Sequence, residues 1–192
     1  MNKREDTWEV IVNQGINLVY TIIFSTPLFL FWAEYYAVLP LIIFGSIAVC
    51  IFFLPSGFFK FFQLSNSRSF YKRIAAHRFQ QMTQQGKYAQ LLIKSLSGEG
   101  KILFNKKKSG RMYNQIRTFE AYHWACFVFF VATLIYALTK EAFGYAIIVF
   151  ICNIFYNVIP ILIQQYNRLR LNSLNPVNKD RKVHHNRRLG HL

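Results

Sequence analysis

The segment from Tyr145 to Arg170 reads YAIIVFICNIFYNVIPILIQQYNRLR, and it decides how the rest of the chain is interpreted. Its first part is almost entirely apolar and long enough to cross a membrane, since about 20 helical residues span a hydrocarbon core of roughly 30 Å. Its last part carries Asn, Gln and Arg instead. The segment therefore predicts a membrane helix that ends either at the interface or in the wall of a polar site.

The composition of the whole chain agrees with a membrane location. The 192 residues are 53% hydrophobic, yet the formal net charge is +15. In a soluble domain the apolar residues are dispersed at helical or strand spacing. Here apolar and charged residues occupy separate blocks, which is typical of an integral membrane protein.

Apolar blocks predict four transmembrane helices, at about 11–32, 36–54, 121–138 and 143–163. Only Glu34 is charged between the first two, and only Lys140 and Glu141 between the last two, so each pair predicts a hairpin. The predicted fold class is an all-α integral membrane protein with two hairpins. We expect a single membrane domain over 1–171, followed by a polar, basic and disordered tail over 172–192.

The positions of the basic residues predict orientation. Of 23 Lys and Arg, 13 lie between Lys60 and Arg117 and seven from Arg168 onward. Because Lys and Arg concentrate in cytoplasmic segments, we expect both termini and the loop 60–118 on the cytoplasmic face of a bacterial inner membrane. This loop mixes aromatic residues with cations, which favours partly helical structure against anionic membrane lipids. It contains no nucleic-acid-binding motif, so no nucleic-acid partner is expected.

A first polar cluster lies in RTFEAYHW, where the third span begins. Arg117, Glu120 and His123 are three residues apart, and such side chains can meet on one helix face. A hydrogen bond from His123 to Glu120 would fix the imidazole tautomer and leave its other nitrogen as a general base. The alternative is an interfacial salt-bridge stripe with aromatic neighbours. The spacing alone leaves both interpretations open.

A second polar cluster lines the later part of the fourth span and continues past its end. Asn153 and Asn157 share a helix face, Pro160 frees backbone carbonyls, and polar residues continue to the end of the span. These further residues are Gln164, Tyr166, Asn167, Arg168 and Arg170. Helix–helix hydrogen bonding and snorkelling arginines would also explain them. In the predicted topology, however, both clusters lie at the same depth on adjacent helices, which favours one shared site.

At these residues the chain resembles the glycosyl-4,4'-diaponeurosporenoate acyltransferases, the CrtO-type family of small membrane acyltransferases. The family motif ExxHW resembles Glu120, His123 and Trp124. The family's N-x-x-P-x-x-x-Q-R-Y-N-R-x-R resembles NVIPILIQQYNRLR at 157–170, except that Gln165 stands where the family usually has Arg. The clear resemblance covers about 117–171, with looser similarity in SFYKRIAAHRF and LFNKKK of the middle loop.

The resemblance implies transfer of a fatty acyl group to a hydroxyl of a glycosylated isoprenoid or carotenoid lipid, in carotenoid biosynthesis. Acyl-CoA or acyl carrier protein would be the co-substrate, and neither another cofactor nor a metal is expected. The partners are then membrane lipids, a lipid-linked acceptor and the acyl donor. Acceptor identity, acyl chain length and oligomeric state stay open.

The hypothesis gives each polar residue a role. His123 is the general base and Glu120 orients it. Asn157 and Gln164 polarise a carbonyl or bind the acceptor sugar. The remaining substrate-binding candidates are Asn153, Tyr166, Asn167, and the cations Arg168, Arg170, Lys72 and Arg73, which would hold the donor's phosphates. The alternative is a non-enzymatic membrane subunit or lipid-binding module of a larger complex.

Overall fold

The computed structural model describes residues 3–74, 91–95 and 109–174, and the described chain is helical. The named helices are α1 (Lys3–Glu34), α2 (Val38–Phe52), α3 (Ser56–Phe61), α4 (Arg68–Arg73), α5 (Ser109–Thr139), α6 (Phe143–Asn153), a π-helical turn (Ile154–Val158) and α7 (Ile159–Leu174). Residues 91–95 form a short additional helical segment. The prediction of an all-α protein is confirmed for these residues.

Three helical segments are long and apolar enough to cross a membrane: Val10–Glu34, Tyr113–Thr139 and Phe143–Asn172. They contain the first, third and fourth predicted spans, which supports the assignment to membrane proteins. Helix α2 has 15 residues and is therefore about 22 Å long, less than a typical hydrocarbon core. Whether α2 makes a complete crossing stays a prediction.

The helices form two hairpins whose tight turns lie at the same end of the bundle. We call α1 and α2 the first hairpin, and α5 to α7 the second hairpin. The Tyr145 hydroxyl, just after the turn of the second hairpin, donates to the Glu34 carboxylate at 2.7 Å. The opposite end contains α3, α4, the start of α5 and the end of α7. We call it the basic end, after Lys60, Arg117 and Arg168.

The turn of the second hairpin has a left-handed residue that ends α5. Glu141 has φ 56°, and the Ala142 N–H bonds to the Ala137 carbonyl at 3.0 Å. This six-to-one hydrogen bond is the Schellman pattern, which satisfies a carbonyl that the helix end would otherwise leave open. The chain can then reverse direction within three residues and begin α6.

Aromatic side chains hold the two hairpins together near the turns. Trp32 stacks on Tyr136 with ring centroids 5.4 Å apart, and its indole N–H donates to the Thr133 hydroxyl at 3.2 Å. Phe31 is fully buried in the same cluster. In contrast, α2 packs along α5 but has no buried residue. Its apolar side chains are therefore available to lipid.

The fourth membrane segment is interrupted by the π-helical turn. The Ile159 N–H bonds to the Ile154 carbonyl, five residues back, and Pro160 cannot donate to the Tyr156 carbonyl one α-helical turn back. A π turn holds one residue more than an α turn, so the helix beyond it is rotated by about 100° relative to a regular helix. This rotation determines which side chains α7 directs towards α5.

Parts of the sequence-based expectations fall outside the described residues. These are 75–90 and 96–108 in the middle loop, and 175–192 in the expected tail. Helix α7 itself continues to Leu174.

Candidate functional site

A buried ion pair joins the two long helices of the second hairpin at the basic end. Arg168 on α7 donates through Nη1 to Oε2 of Glu120 on α5, and the two residues are 5% and 2% exposed. The other terminal nitrogen, Nη2, donates to Oε1 of Gln63 at 2.7 Å. Gln63 lies just after α3, so one guanidinium connects three segments. A charge this deeply buried requires such partners, because desolvation is costly.

This ion pair changes the role expected for Glu120. Its Oε2 binds Arg168, while its Oε1 is buried and has no hydrogen-bond partner; Nδ1 of His123 also has none. The predicted hydrogen bond between Glu120 and His123 is therefore absent from the structure. Glu120 prefers the guanidinium because a cation stabilises a buried carboxylate better than a neutral imidazole does. Its catalytic role stays a prediction.

His123 instead faces the π-helical turn of the opposite helix. Its imidazole interacts with the Asn157 side chain and with the backbone of Tyr156. The Asn157 amide nitrogen donates to Oδ1 of Asn153 at 2.8 Å, and Asn153 donates to the Phe127 carbonyl on α5 at 3.4 Å. The predicted convergence of the two polar clusters is therefore present around His123 and the two asparagines.

Two atoms in this group have unused hydrogen-bonding capacity. Nδ1 of His123 and Oδ1 of Asn157 are both buried without a hydrogen-bond partner, and the Asn157 residue has no solvent exposure. Buried polar atoms in folded proteins are nearly always paired. These two unpaired atoms lie on facing residues, so this is a place where a ligand hydroxyl could supply the missing hydrogen bonds.

A short chain of hydroxyl groups lies beside His123 and was not anticipated from the sequence. The Tyr156 hydroxyl is 3.0 Å from the Thr21 hydroxyl on α1 and 2.9 Å from the Tyr122 hydroxyl on α5. The Tyr156 ring meets the His123 ring edge-on, with centroids 5.9 Å apart. Through Thr21, the first hairpin reaches the polar site. These residues gave no signal beyond ordinary membrane-helix composition.

Gln165, the departure from the family motif, is a buried structural residue. Its Oε1 accepts from the Tyr71 hydroxyl at 2.9 Å and from the Leu64 N–H at 3.4 Å. Its amide nitrogen donates to the Phe62 carbonyl at 3.2 Å. Burial raises the pKa of Tyr71, so this hydroxyl keeps its proton as a donor. Gln165 thus attaches the segment between α3 and α4 to α7.

The other predicted binding residues are more dispersed. Gln164 and Asn167 are half-buried, Tyr166 is buried, and Arg170 is exposed. Tyr166 packs with Tyr71 in a small core under α4. The side chains of Lys72 and Arg73 are exposed on α4. The structure therefore joins Glu120 to Arg168 and groups His123 with Asn153 and Asn157. Of the four cations expected to bind phosphate, Arg168 is in the ion pair, whereas Lys72, Arg73 and Arg170 do not line the cleft beside it.

A narrow cleft opens beside the ion pair at the basic end. It is lined by Lys60, Tyr113, Ile116, Arg117, Glu120 and Arg168, and its volume of about 10 Å³ leaves room for about one water molecule. Lys60 was not predicted as a site residue, and Arg117 was noted only as part of a helical stripe. Neither has a sequence signal that separates it from the many other cations of the middle loop.

Buried amides, an imidazole and an ion pair therefore lie within the apolar helices of a membrane protein. The family comparison gives the class of this protein as an acyltransferase. Residues 55–176, more than half of the chain, match the family described as glycosyl-4,4'-diaponeurosporenoate acyltransferase (CrtO). The chain belongs to this family, as the motif resemblance predicted. The match begins just before α3 and includes both polar clusters. No curated protein and no solved structure matches the chain.

Proposed function

We propose that this protein transfers a fatty acyl group from an acyl thioester, acyl-CoA or acyl carrier protein, to a hydroxyl of a glycosylated carotenoid or related isoprenoid lipid. The family description supports acyl transfer and a glycosylated carotenoid acceptor. The O-acyl linkage, the thioester donor and the roles of individual residues are part of the proposal. Acyl transfer to a hydroxyl requires a base close to that hydroxyl and a region that excludes competing water.

The observation that carries the proposal is the pair of unpaired buried atoms, Nδ1 of His123 and Oδ1 of Asn157. We assign the imidazole proton to Nε2, where the Tyr156 carbonyl can accept it, because Pro160 cannot provide the helical N–H for that carbonyl. Nδ1 is then a base. Asn157 would accept from a neighbouring hydroxyl of the same sugar and orient it.

In the proposed reaction the acceptor hydroxyl oxygen attacks the thioester carbonyl carbon while His123 removes the hydroxyl proton. The carbon–sulfur bond then breaks, the ester forms, and the proton passes from His123 to the departing thiolate. Atoms and charge balance with a free thiol and an acylated lipid as products. In this proposal Glu120 holds Arg168 and does not bond to His123.

The proposal includes a topology with four crossings and both termini in the cytoplasm of a bacterial inner membrane. It is supported by the location of both hairpin turns at one end and of the cations at the other, since positive residues favour the cytoplasmic side. A Lys140→Cys variant should react with a membrane-impermeant thiol reagent in intact cells, whereas Lys60→Cys should not. Labelling of Lys60→Cys alone would contradict the orientation.

Mass spectrometry of lipids made by the purified protein tests the proposed activity. His123→Gln and His123→Ala should fold and lose acyl transfer by about 100-fold or more, the usual contribution of a general base. The same Gln substitution at His185, in the C-terminal tail, is the control and should retain turnover. Full turnover in both His123 variants would exclude His123 as the base. Absence of any acylated lipid with the natural sequence would contradict the proposed activity itself.

A further inference from the structure

The cleft at the basic end has more positive than negative charge in its wall. Three cations and one carboxylate line it, and the carboxylate of Glu120 is already paired with Arg168. Lys60 and Arg117 are therefore the uncompensated cations among the described residues that line this cleft. They belong to α3 and α5, so the cleft collects positive charge from two separate segments.

The rest of the wall shows what kind of anion would fit. Ile116 and Tyr113 provide an apolar and aromatic side. Glu120 forms part of the wall, and its Oε1 is a buried acceptor without a hydrogen-bond partner. A phosphate ester that also carries a hydroxyl would satisfy both: its phosphate would face the cations and its hydroxyl would donate to Glu120. A simple inorganic anion without a hydroxyl would leave the Glu120 oxygen without a hydrogen bond, and the two negative charges would repel each other.

We propose that Lys60 and Arg117 form a subsite for the phosphate of a hydroxyl-bearing phosphate ester, with the Glu120–Arg168 pair as its rigid inner wall. The present volume is too small for a phosphate group, but the Lys60 and Arg117 side chains are exposed and have long, rotatable stems. Binding would draw them inward over the ligand. The ion pair, buried and held by Gln63, would not have to move.

Two sources carry this chemistry. One is the phosphopantetheine arm that acyl-CoA and acyl carrier protein share, in which case the subsite deepens the proposed function and depends on it. The other is a glycerol-type phospholipid headgroup from the surrounding membrane. Either assignment differs from the sequence-based expectation, because Lys72, Arg73 and Arg170 do not line the cleft.

Binding measurements on the detergent-solubilised full chain test the subsite without depending on turnover. The probes are 4'-phosphopantetheine, pantetheine without the phosphate, and short-chain phosphatidylglycerol or phosphatidylcholine. The double variant Lys60→Gln/Arg117→Gln should weaken binding of a phosphate probe by about tenfold or more and reduce its dependence on salt. The matched control Arg68→Gln/Lys94→Gln removes two exposed charges outside the cleft and should change affinity by less than about twofold.

Each outcome decides something. Loss confined to 4'-phosphopantetheine assigns the subsite to the acyl donor, and loss confined to phosphatidylglycerol assigns it to a lipid headgroup. Equal loss in the control, no loss in the cleft variant, or a larger loss in Lys72→Gln/Arg73→Gln overturns the subsite. If the cleft binds 4'-phosphopantetheine but neither acyl-CoA nor acyl carrier protein supports transfer, the proposed function fails while the subsite stands. Thermal unfolding of each variant verifies that it is folded.

Discussion

The two hairpins are both apolar helix pairs, but they differ in what they bury. In the second hairpin, the amides of Asn153, Asn157 and Gln165 and the Glu120–Arg168 ion pair lie within apolar helices. In the first hairpin, α2 buries nothing. The family match also begins after α2. Because polar groups are costly to bury in a membrane and often mark functional sites, the difference favours the second hairpin as the place of the proposed chemistry, with the first hairpin as its support.

The first hairpin is nevertheless fastened to the second at intervals along α1. Thr21 bonds to Tyr156, Trp32 bonds to Thr133, and Glu34 accepts from Tyr145. These are single hydrogen bonds between uncharged or exposed groups. The contacts within the second hairpin include a buried charge pair, so equal substitutions in the two hairpins should have unequal effects.

The largest effect is expected from Arg168→Leu, because it leaves the Glu120 carboxylate buried without its cation. Removing one partner of a buried ion pair costs about 3–5 kcal/mol. The midpoint of thermal unfolding in detergent should fall accordingly, and the control Arg68→Gln, at an exposed position, should not change it measurably.

The double variant Glu120→Gln/Arg168→Leu sharpens this prediction. It removes both charges and should recover a substantial part of the lost stability, because no isolated charge remains buried. If the double variant is as unstable as the sum of its two single variants, the ion pair does not carry the coupling described here.

An intermediate effect is expected at Gln165, where the protein differs from the usual family residue. Gln165→Leu removes the hydrogen bonds to the Tyr71 hydroxyl, the Leu64 N–H and the Phe62 carbonyl, at about 1 kcal/mol each. The Tyr71 hydroxyl keeps the Ser65 carbonyl as an acceptor. Gln165→Arg should also destabilise, because a guanidinium has donors but no acceptor for Tyr71 and Leu64. Limited proteolysis should then cut first near residues 62–65. Unchanged proteolysis in both variants would show that Gln165 does not hold this segment.

The smallest effect is expected from Thr133→Val, which removes the acceptor for the Trp32 indole while keeping the side-chain shape. Interhelical hydrogen bonds in membrane proteins average about 0.6 kcal/mol. The unfolding midpoint should therefore fall only slightly, and acyl transfer should be retained. A loss comparable to that of Arg168→Leu would contradict the contrast between the hairpins.

Much of this architecture could be predicted because segments that cross a membrane are recognisable in a sequence as long apolar blocks. Long apolar blocks must be helices, since the bilayer offers no other partner for backbone N–H and C=O groups. The cost of polar groups in a membrane also marked the polar residues of the second hairpin as unusual. The predicted topology then placed the cluster of His123 and the cluster of Asn157 at the same depth. The motifs around Glu120 and Asn157 then predicted the family, which the match over 55–176 confirms.

The pairing of individual side chains could not be predicted in the same way. The three-residue spacing placed Glu120 beside His123, but a distant arginine competes for the carboxylate, and sequence spacing cannot report that competition. Similarly, a regular helix would continue the face of Asn157 to Gln164, seven residues later, whereas the buried amide is Gln165. Gln165 is buried because it bonds to the segment between α3 and α4, and helical spacing alone cannot report where that segment packs.

That π-helical turn has a consequence for how sequences of this family should be compared. A single-residue deletion between 154 and 158 would restore a regular helix and turn α7 by about 100°, carrying Gln165 away from Tyr71 and Arg168 away from Glu120. A relative that aligns with a one-residue gap in this segment would therefore direct a different set of α7 side chains towards α5. Chains aligned without a gap here share the inner face of α7, whereas a one-residue gap marks a relative whose contacts at the basic end must be assigned afresh.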